Sequence, residues 1–196
     1  QATTVHERHF HYDEELFYQC PDNVSLQGYF QTEKYFRHIK AEINDDFTFK
    51  DEILIPCKEM MEDVQDPIAL HVRRTDYVTN SANHPPCSLE YYKKALSYFE
   101  KYRTVIVFSD DPAWCNEQEL FSGEHFMISE NDDNRIDLCL MTLCSDFIIA
   151  NSSFSWWGAW LANRGTVIAP QQWFGTDGYT KDHDTKDVVP DGWTRI

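Results

Sequence analysis

The sequence predicts an α/β fold, a parallel sheet with helices on both faces, and three observations carry the prediction. From residue 67 onward, short runs that are apolar throughout alternate with longer runs of helical spacing. Strands with no polar alternation belong to sheets covered on both sides. The chain has 196 residues, 42% hydrophobic and 15% aromatic, enough for a packed core and unlike a disordered composition. Three of the expected strands also end in polar clusters, at the sheet edge where such folds bind ligands.

Taken in order, "SLQGYFQ" (25–31) reads as a short strand and "TEKYFRHIKAEI" (32–43) as a helix capped by Thr32, with apolar residues at 35, 36, 39 and 43. "DEILIPCKEMMEDV" (51–64) reads as a helix interrupted by Pro56. The regular region opens with strand "PIALHV" (67–72) and a polar loop containing "HPP". Helix "SLEYYKKALSYFEKY" (88–102) follows, capped by Ser88, with Tyr91, Ala95, Leu96 and Phe99 on one face. Strand "TVIVFSDD" (104–111) leads into a short helix with Pro112 in its first turn. Then come strand "HFMIS" (125–129), helix "NRIDLCLMTLC" (134–144), strand "DFIIANSS" (146–153), helix "FSWWGAWLAN" (154–163) and strand "GTVIAP" (165–170).

Seventeen basic residues against thirty-three acidic ones give a net charge of −16. That argues against the basic face that nucleic acid or an anionic membrane surface would need. A small anion can still bind if its site is locally basic. No apolar stretch approaches the ~18 residues of a membrane-spanning helix, and no signal peptide is visible. The chain opens at Gln1 rather than Met, which points to a cleaved or truncated start. The six cysteines are scattered, without a C-x-x-C, and read as free thiols. "NVS" at Asn23 and "NSS" at Asn151 fit the glycosylation pattern, but the second follows an apolar strand, a poor place for a glycan.

The three polar strand ends supply His71, Arg73, Arg74 and Asp76; Ser109, Asp110 and Asp111; and Asn151, Ser152, Ser153 and Ser155. Arg73 and Arg74 offer forked donors to a diphosphate, or one of them pairs with Asp76 and pins the loop. Ser152 and Ser153 stand where a strand becomes a helix, whose free N–H groups suit a phosphate oxygen. Asp110 and Asp111 can cap the helix beginning at Pro112, bond a ligand or hold a metal. Asp137 lies inside an apolar helical run; it is either satisfied by neighbours such as Arg135 or turned to a ligand with paired N–H donors, as guanine has. Trp156, Trp157 and Trp160 read as core ahead of a sugar platform. "HERHFH" (6–11) lacks a cysteine or acid at zinc-ligand spacing, and "DHD" (182–184) follows no strand, so it reads as solvated loop. There is no G-x-S-x-G, no G-x-x-x-x-G-K-[ST] and no G-x-G-x-x-G.

The runs "HVRRTDYV", "VIVFSDDPAWC" and "RIDLCLMTLCSDFIIANSSFSWWGAWLA", with "LQGYFQTEKYF" before and "VVPDGWTRI" after, resemble the motifs of bacterial α-1,2-fucosyltransferases of glycosyltransferase family 11. H-x-R-R-x-D is shared with other fucosyltransferases; "NSSFSWWGAWL" is the specific part. The resemblance implies a GT-B-like fold, GDP-fucose as donor, a galactoside acceptor, and inversion without a metal or other cofactor. By position, Arg73 would hold the β-phosphate, supported by Arg74, with Asp76 beside them in the catalytic loop. His71 and Asp137 would meet guanine, Asp110 and Asp111 would shape the nucleotide pocket, and Asn151, Ser152, Ser153 and Ser155 would lie at the phosphates. It further implies a cytoplasmic protein with peripheral contact at the inner face of the membrane.

Two departures from the family pattern are visible. The family's opening segment, resembling G-G-L-G-N-Q-M-F-Q-Y, has no match here, so residues 1–66 read as the remnant of an acceptor-side lobe and 67–196 as a GDP-fucose-binding Rossmann-like lobe. An incomplete lobe would expose apolar surface and favour self-association. Thr75 stands where the family often has glycine, which asks that loop to avoid a positive φ. Two other readings remain: a non-catalytic nucleotide-binding module, and a carbohydrate-binding protein resting on its tryptophans, which makes no use of Arg73 and Arg74.

Overall fold

A computed structural model describes residues 3–196. In chain order the elements are β1 (Thr3–His6), α1 (Glu14–Gln19), β2 (Val24–Gln27), α2 (Lys40–Asp46), α3 (Asp51–Met60), β3 (Ile68–Val72), α4 (Thr75–Thr79), α5 (Leu89–Leu96), β4 (Val105–Ser109), α6 (Pro112–Asn116), β5 (Phe126–Ile128), α7 (Asn134–Leu143), β6 (Asp146–Ile148), α8 (Ser153–Ala162), β7 (Val167–Ala169) and β8 (Thr194–Arg195).

The last six strands form one sheet in the order β5-β4-β3-β6-β7-β8, every pair parallel. The fold is therefore the expected α/β class with a Rossmann-type sheet. From β3 the chain steps outward through β4 to β5, returns to lay β6 beside β3, and steps outward the other way. The reversal between β3 and β6 opens a crevice at their carboxyl ends. β1 and β2 form a separate parallel pair.

Side-chain alternation along each strand divides the core in two. Ala69, Ile106, Phe108, Phe147, Ile149 and Ala169 pack under α3, α7 and α8 with Cys57, Cys139, Trp156 and Trp160. Ile68, Leu70, Val72, Val105, Val107 and Ile148 face the opposite layer, with Tyr92 and Ala95 of α5 and Cys115 of α6. This two-sided burial is why the strands read as unbroken apolar runs. α7 and α8 approach closely at Gly158, where a Cβ would meet the Met141 side chain. α3, upstream of residue 67, places Cys57, Ile53 and Leu54 in the same core as α7. All six cysteines are free thiols. Among the described residues no helix is long and apolar enough to cross a membrane.

The structure departs from the expected elements in places. Residues 32–43 are not one helix: Thr32 caps a 3-10 turn (33–35), a second follows (37–39), and α2 begins only at Lys40. Phe36, between the turns, leaves helical geometry (φ −138, ψ −1) and stacks its ring 5.5 Å from that of Trp157. Tertiary packing here overrides a helical spacing. The strand expected over 25–31 is β2 and stops at Gln27. α3 ends at Met60 but runs through Pro56, which sits on an exposed face of the helix. The helix expected over 88–102 ends at Leu96, and the one starting at Pro112 ends at Asn116. β1, α1, α4 and β8 had no counterpart in the pattern.

Candidate functional site

At the carboxyl end of β3 the two adjacent arginines part. Arg73 turns toward the crevice and pairs Nη2 with Asp76 Oδ1 at 2.8 Å. Arg74 turns away, its guanidinium 3.8 Å from the ring centre of Trp114, with Nε 3.4 Å from Asp111 Oδ2. The loop between them is closed by Asp110, at the end of the neighbouring β4. Its carboxylate accepts from the Arg74 N–H (2.8 Å), the Thr75 N–H (3.1 Å) and the Thr75 hydroxyl, and lies 3.4 Å from Arg73 Nε. Burial alone would raise its pKa; these donors hold it below the usual carboxylate range. Asp110 thus caps α4 from another strand, and Thr75 begins that helix without a positive φ. Asp111 caps α6, accepting from the Trp114 N–H at 3.1 Å.

Across the crevice β6 feeds α8. Ser152 is the N-cap and its hydroxyl accepts from the Phe154 N–H at 3.3 Å. Ser153, exposed, is the first helical residue, so the positive end of a ten-residue helix opens here. Asn151 is buried and ties three segments: its amide donates to the Pro85 and Trp173 carbonyls (3.0 and 2.9 Å), and its own carbonyl accepts from the Tyr77 hydroxyl (2.9 Å). That burial also rules it out as a glycan acceptor.

His71 and Ser155 meet beneath this surface, His71 Nδ1 2.9 Å from Ser155 Oγ. Both are buried. Burial pushes the His71 pKa down to about 4, so the ring is neutral. Ser155 also bonds the Ser152 carbonyl at 3.4 Å, which anchors the first turn of α8 to β3. Asp137, in the first turn of α7, faces the segment that follows β5, its Oδ1 accepting from the Ser129 hydroxyl (2.6 Å) and the Asn131 amide (3.0 Å). Burial raises its pKa, and these two donors partly offset the rise. Arg135 pairs instead with Asp133 at 2.7 Å.

The crevice holds a cavity of about 340 Å³. It gathers Arg73, Asp76, Asn151, Ser152 and Ser153 among the residues expected from the sequence. Arg74, Asp110, Asp111, His71 and Ser155 lie outside its lining, and Asp137, on α7, contacts Ser129 just past the outer strand β5. Gln31, Tyr77, His84, Phe154, Trp173 and Phe174 also line it. Phe154 and Tyr77 lay inside the motif runs and were open to inference; Gln31 and Trp173 come from segments without a strand-end signature. Among the described residues, no three His, Cys, Asp or Glu side chains converge as a metal-holding group.

The sequence profile described as "Glycosyl transferase family 11" matches residues 6–196. The chain belongs to glycosyl transferase family 11. Within the family it is 35% identical to an alpha-1,2-colitosyltransferase of Escherichia coli, over 89% of this chain and 63% of that protein. It is 32% identical to the O-antigen biosynthesis glycosyltransferase WbnK of E. coli, over 93% and 67% respectively. It is 26% identical to galactoside alpha-(1,2)-fucosyltransferase 2 of Sus scrofa, over 79% of this chain and 50% of that one. The chain therefore spans about half to two thirds of these relatives. The solved structure of POFUT1 in complex with GDP superposes with a TM-score of 0.50 at 14% identity, over 88% of this chain and 54% of that one. This likeness is one of fold, and it agrees with the GT-B-like architecture.

Proposed function

We propose that the crevice binds the diphosphate of GDP-fucose and that the protein moves L-fucose to the 2-hydroxyl of a galactoside with inversion. The observation that carries this reading is the pairing, across the point where the strand order reverses, of the Arg73 guanidinium with the open amino end of α8. A diphosphate placed there meets a forked cation on one side and free N–H groups on the other. As the acceptor oxygen bonds to the anomeric carbon and the sugar–phosphate bond breaks, negative charge gathers on the leaving diphosphate. Fixed donors at that position stabilise the transition state more than the ground state. No metal is required for this role. Asp76 pairs with Arg73 as an exposed partner that a diphosphate can displace, and Arg74, Asp110 and Asp111 hold its loop.

Asp137 is the proposed guanine acceptor. β5 lies two strand spacings, about 10 Å, from β3, comparable to the reach from phosphate to base. Asp137 Oδ2 makes no protein hydrogen bond among the described residues. A second donor, colitose in place of fucose, is favoured by the colitosyltransferase relative. Calorimetry with GDP, guanosine, ADP and UDP tests the reading. GDP should bind, guanosine weakly, ADP and UDP weakly or not at all; equal affinity for ADP and GDP would refute the Asp137 assignment.

A further inference from the structure

The loop after α4 brings to the crevice a histidine that no strand end carries. His84 lines the cavity of about 340 Å³ together with Arg73, Asp76 and Tyr77. We propose that His84 is the catalytic base of the transfer: its imidazole takes the proton of the acceptor's hydroxyl as that oxygen attacks the anomeric carbon. The inference rests on the nucleotide-sugar reading above and names the proton acceptor which that reading leaves unassigned. The step balances within the site. The hydroxyl's proton passes to a ring nitrogen, and the oxygen's lone pair forms the bond to carbon. The electron pair of the broken sugar–phosphate bond leaves on the diphosphate, and the imidazolium then gives its proton to water.

Three features point to this side chain. First, its ring is held while its nitrogens stay available. The ring stacks on Tyr77, 5.2 Å between centres, and meets Phe174 edge-on at 5.4 Å. Among the described residues neither ring nitrogen has a hydrogen-bond partner, and neither is sealed from solvent. Second, the loop is fixed on both sides of the residue. The Asn83 carbonyl accepts from the Gly175 N–H (2.8 Å) and the Thr180 hydroxyl (3.1 Å), and the Pro85 carbonyl accepts from the Asn151 amide (3.0 Å). The His84 N–H itself donates to the Asn80 carbonyl at 2.9 Å. A base fixed in this way is in place before the substrate arrives. Third, the other proton acceptors of the lining are committed. The Tyr77 hydroxyl donates to the Asn151 carbonyl at 2.9 Å, and burial pushes its pKa up to about 12. Asp76 sits on Arg73 at 2.8 Å, at the place of the leaving diphosphate, whereas inversion brings the acceptor oxygen to the opposite face of the sugar. Arg73 and His84 stand about the same Tyr77 ring, Arg73 5.5 Å from its centre, so base and diphosphate share one cavity. Burial lowers the His84 pKa from the ordinary 6.5, with Asp76 pulling it the other way, so the ring is neutral at pH 7. The remaining titratable neighbour is His183, across the Phe174 ring at 5.5 Å from it.

The test is fucose transfer from GDP-L-fucose to lactose as a function of pH, with GDP affinity measured by calorimetry on the same samples. Wild-type kcat/KM should fall on the acid side with a midpoint below 6.5, as His84 takes up a proton. His84→Gln should lower kcat by on the order of 10²- to 10⁴-fold, lose that acid limb, and leave GDP affinity and the lactose KM unchanged. In His84→Ala, added imidazole should restore part of the lost rate. A His84 that only supports the fold would move KM or GDP affinity and would not answer to imidazole. A His84→Gln variant that keeps the wild-type rate, or keeps the acid limb, overturns the inference and leaves the nucleotide reading standing. So does loss of the limb in Asp76→Asn instead, which would make Asp76 the base, and so does a wild type that binds GDP and transfers no fucose. Should the variants fail to bind GDP, the wild-type profile decides: an acid limb below pH 6.5 supports the inference, and a rate level from about pH 7.5 to 4.5 overturns it. Failure of the wild type to bind GDP overturns the nucleotide reading and this inference with it.

Discussion

Acid should loosen this fold through His71. The ring is buried under α8 with Nδ1 on Ser155 Oγ at 2.9 Å, and its pKa is about 4 against 6.5 for the free side chain. Burial is the main cause; Asp110, facing it from the end of β4, pulls the value up, and Arg73 pushes it down. Between these two values the unfolded chain carries a proton on His71 and the folded chain does not. Stability therefore falls as pH drops below about 6.5, by about 1.4 kcal/mol per unit, and levels near pH 4 after a loss of about 3 kcal/mol. Urea denaturation at half-unit steps from pH 7.5 to 4 measures it, comparing the wild type with His71→Gln, which keeps a polar partner for Ser155 and does not titrate. Carboxylates titrate alike in both proteins and cancel in the difference. The wild-type advantage should shrink with that slope across the window. A difference that stays flat from pH 6.5 to 4 would show that His71 is not held neutral by burial and would remove it from the base of the site.

Arg73→Ala should weaken GDP by about 1.5–3 kcal/mol, roughly 10- to 100-fold, and leave guanosine unchanged; equal losses would make Arg73 structural. Asp76→Asn frees Arg73 from an exposed partner and should tighten GDP by up to about fivefold, the worth of a surface pair; weaker binding would mean that Asp76 orients Arg73 or itself meets the ligand. Gly158→Leu should destabilise by roughly 1–3 kcal/mol by forcing α8 from Met141, read as a lower urea midpoint with an unchanged slope. GDP binding should survive EDTA; loss with rescue by manganese would bring a metal into the site.

What the sequence disclosed and what it hid follow from range. β3, β4, β6 and β7 were legible because burial on both faces leaves a mark in consecutive residues. β8, two residues long, leaves no period to read. α4 was invisible because what starts it, the Asp110 carboxylate, lies 35 residues from Thr75. The same limit applies at the site. Arg73 and Ser153 were found by the strand-end rule, which is local. The role of Ser155 depends on a histidine 84 residues away, and spacing alone groups it with Ser152 and Ser153 at the start of α8 although it is fully buried. Gln31 belongs to a segment whose path is set by Glu7 and by Phe36 on Trp157, contacts that no single window contains.

On the proposed reading, the charge distribution decides how a diphosphate would be held. The chain carries −16, and the loop region at the ends of β3 and β4 sets three carboxylates, Asp76, Asp110 and Asp111, against two guanidinium groups. Bulk attraction cannot bring a diphosphate here. Position must do what net charge does not. Asp110 and Asp111 face backbone N–H groups and the inner flanks of the arginines, so their charge is met locally. Arg74 spends its guanidinium on Trp114 and Asp111, which fixes the loop and leaves Arg73 as the forward-facing cation. α8 adds N–H groups and a dipole without adding a formal charge. Such an arrangement favours a ligand that fits two fixed donor sets at once over one that is merely anionic, and that selectivity follows from the same strand reversal that brings β3 beside β6.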